Sequence, residues 1–135
     1  MATERVAVDT NILVYAFGAP DAKGERATQA LGRCQAVSVQ ALNEFTDVMR
    51  RKYRRDFADV ELGLRYFTAL FEVLPMTVRA REMAFDLARE CGLRIYDAMI
   101  LATAAEAGCT VLLSEDLGHR DSHLGVRVEN PFRTA

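Results

Sequence analysis

Apolar and polar positions alternate in long blocks along this chain, and the blocks have two lengths. Arg5–Val8, "RVAV", is a short β-branched run of the kind a buried strand shows. Asn11–Phe17 reads as a short helix stopped by Gly18, Ala19 and Pro20. Asp21 can cap a second helix running to about Cys34, and Ala36–Val39 is the next strand. From Ala41 to about Tyr53, residues Leu42, Phe45, Met49 and Tyr53 form one helical stripe. Phe57–Leu70 repeats the pattern, with Val60, Leu64, Phe67 and Phe71 at helical spacing. Glu72–Leu74 is a third strand, ended by Pro75. Thr77–Cys91 is a helix with Ala80, Met83, Ala84 and Leu87 inward and Gly92 just past its end. Asp97–Ala107 is apolar on nearly every side, which marks a helix buried all round, ended by Gly108. Thr110–Leu113 is a fourth strand and Val126–Val128 a weak last one.

Strand and helix therefore alternate almost throughout, and the strands are continuous apolar runs rather than alternations. That is the signature of a mainly parallel sheet covered on both faces. The expected fold is an α/β/α sandwich of three layers with a short-stranded central sheet. Neither an internal repeat nor a linker divides the chain, so residues 1–135 are expected to form a single domain.

Composition narrows the picture. Half the residues are hydrophobic, enough for a substantial core. The start of the chain lacks the basic and apolar regions of a signal peptide, and no apolar run spans a bilayer, so a cytoplasmic protein without membrane contact is expected. Cys34, Cys91 and Cys109 have no metal-ligand spacing and read as small buried hydrophobes in a reducing compartment. The net charge of −2 argues against a broad polyanion binder. With four acids gathered around cations, however, 15 acids would face 17 bases elsewhere. Nearly all those bases are arginines, which grip phosphate bidentately.

Four acids share an address. Ligands of open α/β sheets bind beyond the carboxyl ends of the strands. Asp9 follows the first strand directly, and Asp116 follows "TVLLS" after two residues. Asp97 stands at the entrance to the buried helix, in "RIYDAMI". Any one of these could simply cap a helix. Glu44 could not, because it lies inside a helix, at the border of its apolar stripe between Ala41 and Val48. Four carboxylates converging on one pocket would repel one another and resist ionisation unless a cation joined them. The donors are all oxygens, which selects Mg²⁺ or Mn²⁺ over Zn²⁺. Hydrolysis of a phosphodiester is the chemistry such a site supports. Asp9, Asp97 and Asp116 would hold metal, and Glu44 would hold metal or take a proton from the attacking water. Thr10, Asn11 and Ser114 would orient that water or the ligand carboxylates.

The stretches "VDTNILVYA", "QALNEFTDVMRRK", "IYDAMILATAAEAGCTVLLSEDL" and "VRVENPF" occur in an order that resembles the PIN-domain family, specifically the VapC-type toxins of bacterial toxin–antitoxin pairs. The resemblance runs from about Val6 to Phe132. It implies a Mg²⁺- or Mn²⁺-dependent ribonuclease, homodimeric and inhibited by a small VapB-like antitoxin. The family's acids fall on Asp9, Glu44, Asp97 and Asp116, its polar position after the first acid on Asn11, and its hydroxyl before the last on Ser114. The chain departs from the family after that point. It reads "SEDLGHRDSHLG" where relatives often read "SEDLQHG", so substrate choice stays open, with Asp121 a further acid nearby and Glu115 expected to point away.

"RRKYRR", Arg50 to Arg55, is the densest basic run. Arg50, Arg51 and Arg54 could track an RNA backbone, or simply complement a helix C-terminus. His119 and His123 read as surface residues, and Phe57, Tyr66, Phe67 and Phe71 as core or as contacts for a second copy or an antitoxin helix. A phosphotransfer enzyme would want a lysine near a strand end, but the only two, Lys23 and Lys52, stand elsewhere. The remaining alternative is a non-catalytic protein that binds metal, RNA or a partner through the same pocket.

Overall fold

A computed structural model describes residues 4–18 and 21–133. Six strands form one sheet in the order β3-β2-β1-β4-β6-β5. They are β1 (Val6–Val8), β2 (Ala36–Ser38), β3 (Glu72–Leu74), β4 (Val111–Leu113), β5 (Ser122–His123) and β6 (Val126–Glu129). All neighbours pair in parallel except β5, which runs antiparallel to β6. The helices are α1 (Thr10–Gly18), α2 (Ala22–Leu31), α3 (Val39–Arg51), α4 (Phe57–Leu70), α5 (Val78–Cys91) and α6 (Ile95–Glu106). The result is the short-stranded, mainly parallel sheet flanked by helices that the patterning predicts.

The connections fix where a ligand can sit. From β1 the chain steps outward to β2 and β3, then returns across β1 to β4. The direction reverses between β1 and β4, which makes their carboxyl ends the switch point where open sheets bind ligands. Right-handed crossovers put α1 to α4 on one face and α5 and α6 on the other. The three residues of β1 and the three of β4 are buried throughout, so this seam is the rigid middle of the sheet.

Most boundaries fall within two residues of the expectation; α3 stops at Arg51 rather than Tyr53, and α6 starts at Ile95 rather than Asp97. Asp21 caps α2 by accepting from the Gly24 amide at 3.0 Å, but the helix ends at Leu31 rather than Cys34. Val39 belongs to α3 and not to β2, because the Ser38 hydroxyl caps α3 through the Ala41 amide at 3.0 Å. Asp56 caps α4 and Thr77 caps α5 in the same way. Gly92 closes α5 with the left-handed backbone (φ 71°) that spares glycine a steric cost. Of the stop expected at Gly18, Ala19 and Pro20, Gly18 is still helical as the last residue of α1, and Ala19 and Pro20 lie outside the described residues. Strand β6 stands where Val126–Val128 was expected, but its antiparallel neighbour β5 goes beyond the sequence reading. Strand β5 is two polar residues with no pattern to read, and pairing with β6 alone defines it.

Helix α6 is buried along Ala98, Ile100, Leu101, Ala102, Thr103 and Ala104, as its all-apolar sequence predicts. On the other face, the aromatic rings of Phe17, Phe45 and Phe67 stack edge to face in a row, with centroids 5.6 and 5.1 Å apart. Cys34 and Cys109 are buried, but Cys91 is exposed at the last turn of α5, so the expectation of three buried thiols holds for two. Among the described residues no helix is long and apolar enough to cross a membrane.

Candidate functional site

The four acids named from the sequence line one cavity of about 380 Å³ at the switch point. Asp9 reaches it from the end of β1, Glu44 from the second turn of α3, Asp97 from the first turn of α6, and Asp116 from the loop after β4. Thr10 and Asn11 line it as well. Ser114 does not, but it supports the floor from beneath.

Asp9 is 4 % exposed, a rare place for a carboxylate. One oxygen accepts the Thr10 amide and the other the Ser114 hydroxyl, each at 2.7 Å. Each oxygen keeps a further lone pair for a ligand. The Ser114 hydroxyl also accepts the Asp116 amide at 3.3 Å, so it links the two strand-end acids. Thr10 joins α1 to α3, its hydroxyl lying 3.2 Å from both the Ala41 carbonyl and a Glu44 carboxylate oxygen. Asn11 donates to Asp116 Oδ2 at 3.0 Å and accepts the Glu115 amide at 3.3 Å. All three supporting residues therefore touch at least one of the acids they were expected to support.

Asp97 is the third residue of α6, and the cap residue Arg94 makes no side-chain cap hydrogen bond. Asp97 is therefore not the cap itself, and from the first turn it complements the helix dipole. Glu44 lies at the helix–sheet seam with its side chain 24 % exposed. Arg94 approaches it at 3.9 Å.

Charge is unbalanced here. Burial pushes the Asp9 carboxyl up from 3.8 to about 6, against its two hydrogen bonds, and the charges of Asp97 and Glu44 push the same way. Burial also raises Glu44, opposed by the Thr10 hydroxyl and Arg94 and reinforced by Asp97 and Asp47. Burial raises Asp97, with Arg94 opposing and Asp116 reinforcing. Three carboxyls held above their ordinary range describe a pocket short of positive charge. A hard divalent cation meets that need with the donor type present, oxygen. Among the described residues no three His, Cys, Asp or Glu side chains form a ready-made metal cage. The acids ring the cavity instead.

Several lining residues escaped the sequence reading. Arg94, Lys52, Tyr53, Tyr15 and Asp47 all face the cavity. Lys52 and Tyr53 lie within the basic run, but the arginines singled out there do not reach the cavity. Arg50 stacks 4.0 Å from the Phe57 ring and donates to the Arg55 carbonyl, and Arg51 pairs with Asp47 at 2.8 Å. Arg54 sits just beyond α3 in the left-handed region (φ 53°). Arg50 and Arg51 line a neighbouring hollow that shares Asp47 with the main cavity. A cation beside an acid-rich turn, as in "RIYD", was the one signal that could have pointed to Arg94.

Glu115 points away from the cavity, as expected. Burial works to raise its carboxyl, yet hydrogen bonds from Lys23 and Tyr15 hold it below the usual range. His119 does not face the cavity either, and its Nδ1 accepts the Asn130 amide at 3.0 Å. Asp121 is likewise absent from the cavity wall.

Comparison with known proteins agrees with this fold. The family described as "PIN domain" matches residues 6–121. A toxin–antitoxin complex from Klebsiella pneumoniae is similar, at 26% identity and a TM-score of 0.71, over 94% of this chain and 98% of that one. DNA-bound VapBC from Salmonella typhimurium shares 22% identity with a TM-score of 0.67, covering 96% and 99% of the two chains. VapC20 from Mycobacterium tuberculosis, described as a Sarcin-Ricin loop cleaving toxin, shares 19% identity with a TM-score of 0.66, covering 79% and 86%. Comparison with curated proteins yields no match.

Proposed function

The chain belongs to the PIN-domain family, and on that premise we propose that it is a metal-dependent endoribonuclease, the toxin of a VapC-type toxin–antitoxin pair. The observation that carries the reading is the meeting of Asp9, Glu44, Asp97 and Asp116 in one cavity, three of them held above their ordinary pKa. The whole-chain likeness to a toxin–antitoxin complex supports the biological role.

Asp9, Asp97 and Asp116 would hold Mg²⁺ or Mn²⁺ directly or through water. When bound, the cation supplies the positive charge that activates water and steadies the phosphoryl and leaving oxygens. Glu44 either joins that shell or accepts the proton of the attacking water. With its pKa raised, it is better placed than an ordinary glutamate to hold that proton near neutral pH. Thr10 fixes the Glu44 carboxylate, Asn11 fixes Asp116, and Ser114 fixes Asp9. Lys52 and Arg94 on the cavity wall meet phosphate charge, and Tyr53 offers a ring to an unstacked base. Arg50, Arg51 and Arg54 extend that track beyond the cavity.

Removing the metal and restoring it tests the proposal. Protein stripped with EDTA and mixed with end-labelled structured RNAs should cut only after Mg²⁺ or Mn²⁺ is added. Cleavage that persists in excess EDTA would overturn the metal requirement. RNA bound but left intact with either cation would favour the non-catalytic alternative.

A further inference from the structure

Asp116 is the one acid of the four carried by a loop. Asp9 adjoins a strand, and Glu44 and Asp97 ride on helices. The loop runs on through left-handed residues Gly118 (φ 88°) and Arg120 (φ 73°) before the sheet resumes. A ligand on such a loop keeps its aim only if the loop is tied down.

The tie is made on the far side, by the tail of the chain. Glu115, next to Asp116, accepts the Tyr15 hydroxyl at 2.8 Å and pairs with Lys23. The Lys23 ammonium lies between two rings, 4.3 Å from the centroid of Tyr15 and 4.9 Å from that of Phe132. Those rings meet edge to face with centroids 5.5 Å apart. Phe132 is itself fastened, its carbonyl accepting from Arg26 at 3.0 Å and its amide donating to Asn130 Oδ1 at 2.9 Å. Asn130 Nδ2 reaches back to the Glu115 carbonyl at 3.4 Å. Asn11 then transmits the position of the loop to the cavity, gripping the Glu115 amide with one atom and Asp116 with the other.

We infer that the tail segment Asn130–Phe132, with Lys23 and Tyr15, is a latch that aims Asp116 into the cavity by holding Glu115 from behind. Lys23, Glu115 and Phe132 are positioning residues and touch no substrate. The sequence run "ENPF" thereby acquires a task that the chemistry of the four acids does not give it. The consequence for metal binding rests on the proposed function, but the latch itself does not.

Two readouts test it in the full chain. One is amide hydrogen exchange at residues 115–117 in metal-free protein. The other is Mn²⁺ binding, followed by the resonance of the free ion, with Asp116→Asn as reference. Lys23→Met and Phe132→Ala should speed exchange at those amides about tenfold, leave the interior of α6 unchanged, and weaken Mn²⁺ binding by about tenfold. Phe132→Tyr, which keeps the ring, should restore both. In RNA cleavage the latch variants should lower kcat and leave KM within about twofold, as expected for a misaimed ligand. Native exchange at residues 115–117 in Lys23→Met, whose ammonium is near the surface, would overturn the latch even if Phe132→Ala failed to fold. Equal Mn²⁺ binding by the native protein and Asp116→Asn would instead remove Asp116 from the metal site, and the exchange comparison would still decide the latch.

Discussion

At the scale of the residue, Asp9 shows what the site costs the fold. Its carboxyl is buried and its pKa stands near 6, above the ordinary 3.8. A carboxyl raised in this way stabilises the folded chain fully below pH 3.8, and that contribution is lost as pH rises through 6. The metal-free protein is therefore held back at neutral pH, by about 3 kcal/mol if the whole shift is expressed. Asp9→Asn should raise stability by a sizeable part of that amount in EDTA at pH 7.5, and flatten the pH dependence between 4 and 6. Urea denaturation across that range checks both, and a destabilised variant at pH 7.5 would show that the Ser114 and Thr10 hydrogen bonds outweigh burial. The residue scale was also where the sequence was most informative about chemistry. Asp9, Glu44, Asp97 and Asp116 were singled out from position and motif, Glu44 because an acid at the border of an apolar stripe caps nothing, and the structure brings all four to one cavity. Arg94 and Lys52 were missed, since a cation facing a cavity looks in sequence like any solvated one.

At the scale of the element, the helices hold the acids only as well as they pack. Helix α4 crosses the α1–α3 pair at Gly63, where an added Cβ would meet the rings of Phe17 and Phe45 at 3.0 Å. Phe45 is fully buried and wedged between Phe17 and Phe67, so it has nowhere to move. Gly63→Ala should therefore destabilise by about 1–2 kcal/mol, overpacking outweighing the gain in helix propensity. A thermal midpoint above that of the native protein would contradict this. Elements with a strong period or a clear cap were legible: α4 and β3 have the bounds their sequences predict. Strand β5 was not, because two polar residues carry no period and their pairing is decided by the turn around Gly125 and by β6. The tail was legible as a motif but not as a latch, since its partners Tyr15, Lys23 and Glu115 lie on three other segments.

At the scale of the whole molecule, apolar surface remains uncovered. Leu62, Tyr66 and Leu70 are exposed at four-residue spacing along α4, and Val78 and Phe85 are exposed on α5. An i, i+4, i+8 stripe suits an amphipathic helix laid alongside. Under the proposed function, the α4 stripe around Tyr66 is where an antitoxin helix would dock. Tyr66→Glu should weaken antitoxin binding at least tenfold by calorimetry, with metal-dependent cleavage unchanged. Antitoxin binding undiminished in Tyr66→Glu would contradict this placement. Such surfaces are hard to read from sequence, where an exposed tyrosine on a helix looks like a core residue on a stripe. The order of the strands was likewise beyond local pattern, yet it is what brings β1 and β4 together and makes the four acids one site.

The central claim is that these four carboxylates act together on RNA through a bound cation. The most direct measurement is single-turnover cleavage of a structured RNA by EDTA-stripped protein across a Mg²⁺ titration, native chain against Asp97→Asn. The native chain should show saturable Mg²⁺-dependent cleavage and the variant a loss of at least 100-fold, with the fold intact by circular dichroism. Equal rates from the two proteins would contradict it.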